Sequence, residues 1–165
     1  MICFKSIMLG LVLCGLTSLP AFAAKPVLAK DQSLQPGDER EAQNKLPIAK
    51  GGIWDTLAKS KVTFNEEKGE YSAVFPDEVK KLSGQTIKVS GFMLPLDSSE
   101  KFTHFLLSKR TPTCPFCPPG TPAEIVEVYA EEPTEWVDDL ITYEGKFELI
   151  DNKDLGVFFK ITDAK

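Results

Sequence analysis

Thr86-Ile87-Lys88-Val89-Ser90-Gly91-Phe92-Met93-Leu94 starts as an alternating strand and turns continuously apolar around its glycine. Alternation with period two describes a strand with one buried face, and a continuous apolar run describes one covered on both sides. Glycine inside such a run signals a bulge or a sharp bend. A long strand that coils tightly at one point is what closing a small barrel requires.

The flanking segments continue the pattern. Downstream, residues 102–108 and 124–129 read as strands joined by a proline-rich loop that contains two cysteines. Residues 135–140 read as a single helical turn, and residues 141–150 and 156–162 as a last strand pair across the turn Asp151-Asn152-Lys153-Asp154. Upstream, residues 53–58 form a helix-like turn that anchors Trp54 and Leu57. Residues 62–64 and 71–75 pair as a small hairpin. Residues 76–82 make one or two helical turns, with Pro76 at the start and the acidic pair Asp77-Glu78 at the positive end of the dipole. Five strands with a short helix after the third predict a mainly β domain, a small OB-like Greek-key barrel over residues 53–165. An irregular antiparallel sandwich is the alternative. No repeat of fixed period occurs, and no alternation of strand and helix suggests a parallel sheet. Trp54, Trp136 and the phenylalanines are expected in the core.

Residues 24–52 carry few aromatic or β-branched side chains and many Lys, Gln, Asp, Glu and Pro, so they are expected to form a mostly disordered leader. Residues 1–23 have the form of a signal peptide: Lys5, an apolar run over residues 7–19, then Ala21-Phe22-Ala23 as the small-x-small cleavage pattern. About a dozen apolar residues is short of the roughly 20 that a membrane anchor needs. Cys14 lies in that run, but the bulky Leu13 before it weighs against lipid attachment. The expected destination is the periplasm, with roughly 140 residues left to form one domain. The full chain has 19 basic and 24 acidic residues, a formal net charge of −5. That balance argues against a nucleic-acid partner, because phosphate contacts need a basic surface. No second apolar stretch is long enough to be a membrane helix.

Removal of residues 1–23 leaves Cys114 and Cys117 as the remaining thiols, within Thr113-Cys114-Pro115-Phe116-Cys117-Pro118-Pro119-Gly120. Their spacing lets both sulfurs reach one metal ion or each other. The single histidine, His104, lies on the strand leading into the loop, and Asp97, Glu100 and Glu124 are nearby sources of an oxygen ligand. Thiolate and imidazole favour zinc or copper over magnesium or calcium. A histidine on an apolar strand is more often an ordinary half-buried residue. Here Phe102, His104 and Leu106 share one face, and nothing in that alternation turns His104 toward the thiols. A structural Cys114–Cys117 disulfide is the second reading, though such a short loop yields little chain-entropy stabilisation. Thiol–disulfide exchange is the third. Its low-pKa thiol needs a helix starting at the cysteines, and Pro115, Pro118, Pro119 and Pro122 prevent one. No Ser/His/Asp set, phosphate loop or paired-histidine motif is present, so no catalytic residue is nominated and a non-enzymatic binding protein is expected. Metal binding through Cys114, Cys117 and His104 ranks first.

Gly91-Phe92-Met93-Leu94-Pro95-Leu96, His104-Phe105-Leu106-Leu107-Ser108 and the loop Cys114-Pro115-Phe116-Cys117-Pro118-Pro119-Gly120-Thr121-Pro122 together resemble the exported proteins of domain-of-unknown-function family 3299. The resemblance runs over roughly residues 54–164, and its strand–loop–strand segment is the specific part. It implies a small periplasmic protein. Some members are encoded beside ABC-type export or metal-uptake components, which implies a metal-related role or an envelope ABC transporter component as partner. Where relatives carry a cysteine with a histidine two places later, this chain has Cys114 followed by Cys117. One soft ligand replacing another suits a metal loop better than a disulfide.

Overall fold

The computed structural model describes residues 37–113 and 119–165. The expected signal peptide and the expected leader up to residue 36 therefore lie outside the described residues. So do Cys114 and Cys117.

The chain runs α1 (Gly37–Lys45), α2 (Ile53–Leu57), β1 (Lys61–Asn65), β2 (Glu70–Val74), α3 (Asp77–Lys80), β3 (Thr86–Pro95) and β4 (Lys101–Ser108). A 3-10 turn, Pro122–Glu124, leads into β5 (Ile125–Glu135), β6 (Ile141–Asn152) and β7 (Val157–Ala164). Strands β1 and β2 form a separate hairpin, and the other five close into a barrel in the order β3-β4-β5-β7-β6. β5 and β7 run parallel, and the remaining neighbours are antiparallel. That closure, with the third and fifth barrel strands parallel, is the Greek-key order of an OB-like barrel.

β3 makes the closure possible. Residues 86–91 pair with β6 and residues 92–95 pair with β4, so the strand changes partner at Gly91. A Cβ at Gly91 would lie 2.8 Å from the Ser108 carbonyl oxygen, and only glycine lets the two backbones cross that closely. The expected sharp bend is thus a change of partner within a continuous strand.

Alternation sorts the side chains of these strands. Val89, Met93, Phe105, Leu107, Val126, Val128, Phe147 and Ile161 join the main core, while Leu94, Leu106, Ile125 and Val157 form a smaller cluster. The alternation fails in several places, and one of them is informative. A register shift between Phe102 and His104 turns Phe102 into the main core beside Phe105, and separates it from the face that carries His104. α2 adds Trp54 and Leu57 to the core, and the Trp54 indole N–H donates to the Ser90 carbonyl at 2.7 Å.

Three expectations need correction. Residues 37–52 are not a loose leader: Ile48 bridges Arg110, the Ala49 N–H donates to the Lys109 carbonyl at 2.8 Å, and Gln43 and Ala49 are buried. Composition misleads there because this stretch borrows its burial from the barrel. No helical turn forms over residues 135–140, since β5 extends to Glu135 and the chain then loops to β6. Trp136, expected in the core, is 44% exposed on that loop.

Candidate functional site

Described residues flank the cysteine loop on both sides, and one carboxylate ties the two sides together. Beyond the end of β4, Arg110 directs its guanidinium at Glu124, with Nε donating to Oε2 at 2.9 Å and Nη2 to Oε1 at 3.3 Å. Lys109 Nζ stands 3.9 Å from Oε1. On the returning side, the Thr121 backbone N–H donates to Glu124 Oε2 at 3.2 Å, and the Glu124 N–H donates to the Thr121 carbonyl at 2.8 Å. Glu124 is buried, and Arg110 is nearly so. A fork of charge-assisted bonds with so little water holds its geometry far better than a surface pair.

Gly120 completes the clamp. Its φ is +86°, and a Cβ there would run into Glu124 Oε2 and come within 3.1 Å of Arg110. The outgoing side is also held from the N-terminal segment. The Thr111 hydroxyl donates to the Pro47 carbonyl at 2.7 Å, and Gln43 Nε2 donates to the Thr111 carbonyl. A groove of about 400 Å³ adjoins this base, between the β1–β2 hairpin and the Pro122–Glu124 turn. Ser60 lines it, and its Oγ is buried with no hydrogen-bond partner among the described residues.

His104 sits elsewhere. Its Nε2 lies 2.7 Å from Glu127 Oε1, and its ring stacks on Tyr129 at 4.3 Å between centroids. Lys160 Nζ approaches the Tyr129 ring to 5.9 Å and pairs with Glu148 at 2.8 Å. The result is a row of side chains across β4, β5, β7 and β6. Burial and the neighbouring Glu127 charge raise the Tyr129 hydroxyl above its ordinary pKa. Lys160 donates to Glu148 and lowers its carboxyl pKa, and the Glu148 partner raises that of Lys160. Four residues, about 13 Å of strand, separate His104 from the end of β4 where the loop departs.

Among the described residues no three His, Cys, Asp or Glu side chains converge as a metal group. The oxygen donors considered from sequence are largely committed or distant. Glu124 serves Arg110 and Thr121, Asp97 accepts from the Ser99 N–H at 2.9 Å, and Glu100 is exposed before β4. His104 becomes a ligand through Nε2 only by giving up Glu127. The Arg110–Glu124 clamp and the partners Glu127, Tyr129 and Lys160 were not legible beforehand. Spacing alone places Glu127 and Tyr129 on one face of a strand, but the neighbouring strand that supplies His104 is set by the barrel register.

The family model described as "Protein of unknown function (DUF3299)" matches residues 30–154. Among solved structures, a DUF3299 family protein from Pseudomonas aeruginosa PAO1 is similar at 26% identity and a TM-score of 0.44, over 55% of this chain and 63% of that one. The chain thus spans under two thirds of that relative's length. Comparison with curated proteins gives no match. With the match extending over most of its length, this chain belongs to the DUF3299 family.

Proposed function

We propose that this is an exported, non-enzymatic binding protein of the periplasm that holds zinc or copper through Cys114 and Cys117. The observation that carries the reading is a pair of thiols at metal-ligand spacing, on a loop whose two sides are clamped by Arg110, Gly120, Thr121 and Glu124. A clamped base limits the conformational entropy lost when two soft ligands close on one cation. The thiolates fit a soft or borderline ion, which would draw the remaining donors from water or from His104 after release of Glu127. Bound there, the ion supplies charge and cross-linking to the loop, consistent with a role as an accessory to envelope ABC-type transport.

Metal content of the protein purified from the periplasm tests this directly. About one zinc or copper per chain is expected, and none in Cys114→Ser/Cys117→Ser. Equal metal in the two proteins ends the reading. Free-thiol titration by mass spectrometry separates it from the disulfide alternative, in which the thiols are already joined and the barrel serves as an interaction module.

A further inference from the structure

The barrel end remote from the cysteine loop carries a surface the metal reading does not use. Trp136, Val137 and Leu140 are 44%, 40% and 51% exposed within one five-residue loop between β5 and β6. An exposed tryptophan beside two exposed aliphatic residues is the composition of an interface centre. The same stretch is strongly acidic. Glu131 and Glu135 are balanced by Lys165 and Lys101 at 3.1 and 3.4 Å. Glu132, Asp138 and Asp139 have no ion-pair partner among the described residues.

The strand geometry adds a trough. β5 leaves β7 at Ala130–Ala164, and its ladder with β4 is interrupted between Tyr129 and Thr134 and resumes only at Thr134 and Glu135, so this part of β5 is open on the β7 side. A groove of about 570 Å³ lies along this edge, bounded by Pro133, Thr134, Tyr143 and Ala164. Pro133 has no N–H to offer, so an added strand could not form a regular ladder there. Side chains must supply the grip.

From this geometry we infer that the loop of Trp136, Val137 and Leu140, with Glu132, Asp138 and Asp139, docks a polypeptide segment that carries both basic and apolar side chains. Charge complementarity selects that occupant. A bilayer is disfavoured because Asp138 and Asp139 sit inside the apolar triad. A second copy is disfavoured because a net charge of −5 makes the copies repel. The inference does not rest on the metal reading, since the two ends of β5 lie opposite Ser108 and Lys101 of β4, roughly 23 Å apart.

The test follows the two tryptophan indole N–H signals of the full chain by nuclear magnetic resonance. Trp54 is buried and bonded to Ser90, which makes it an internal control for folding. A synthetic peptide alternating lysine and leucine is the probe, with glutamate–leucine and lysine–serine peptides beside it. Lysine–leucine is expected to shift Trp136 alone, with an affinity that falls as salt rises. Trp136→Ala, followed through backbone signals of the loop, is expected to weaken binding at least about tenfold. Glu132→Gln/Asp138→Asn/Asp139→Asn is expected to abolish the salt dependence. An unmoved Trp136, or equal binding of the glutamate–leucine peptide, overturns the inference. So does a Trp136 shift that depends on protein concentration alone, which identifies a second copy, or one produced by phosphatidylcholine vesicles, which identifies a membrane.

Discussion

Glu124 occupies the position where one side chain decides most. It neutralises Arg110, fixes Thr121 and forbids a side chain at position 120. Glu124→Gln leaves a nearly buried guanidinium without its counter-charge and is expected to cost about 2–3 kcal/mol in urea unfolding. Lys59 and Glu78 make a shorter contact at 2.5 Å, yet both are about half exposed. Lys59→Ala is therefore expected to cost under about 0.5 kcal/mol, because solvent screening rather than distance sets the worth of an ion pair. The Glu148 carboxyl titrates below its ordinary 4.5 because Lys160 hydrogen-bonds it. Near that pH the unfolded chain binds more protons than the folded one. The pair's contribution is complete above about pH 4.5 and disappears as pH falls through the lower folded value. Asp97, lowered by hydrogen bonds from Ser99, acts in the same direction below its ordinary 3.8. Lys160→Met is expected to flatten the acid limb of Tm against pH while leaving the Asp97 part. An unchanged limb would show that the Lys160–Glu148 bond is not populated in solution.

At the level of elements, β3 governs the fold, because a single strand serves two partners through Gly91. Gly91→Ala forces a methyl against the Ser108 carbonyl and is expected to cost roughly 2 kcal/mol, read as a lower urea midpoint at unchanged slope. The hairpin, α2, α3 and all five barrel strands follow from local patterns, since alternation and turn residues are properties of short windows. Two elements were not legible locally. The stretch 135–140 has helical composition, but β5 runs on to Glu135 because β4 still offers a partner at Lys101, and residues 136–140 then form the loop to β6. Residues 46–52 look unable to fold alone, and are ordered by Lys109 and Arg110 just beyond the end of β4.

Across the whole molecule the chemistry divides between two ends. The clamped cysteine loop leaves one end of β5 and the acidic, tryptophan-bearing loop leaves the other. Sites this far apart with no shared partner should behave additively. Cys114→Ser/Cys117→Ser is expected to leave the Trp136 response to the lysine–leucine peptide unchanged, and Trp136→Ala to leave metal content unchanged. Coupling in either experiment would mean that the barrel transmits strain between its ends. No helix among the described residues is long and apolar enough to cross a membrane.

The order of strands, the bend at Gly91 and the two thiols at metal-ligand spacing can be read from the chain itself, because each depends on neighbours a few positions away. The Arg110–Glu124 clamp, the Glu127 and Tyr129 partners of His104, the inward turn of Phe102 and the exposure of Trp136 came only with the closed barrel. Each depends on which strand lies beside which and in what register, and long-range pairing leaves no trace in a local window.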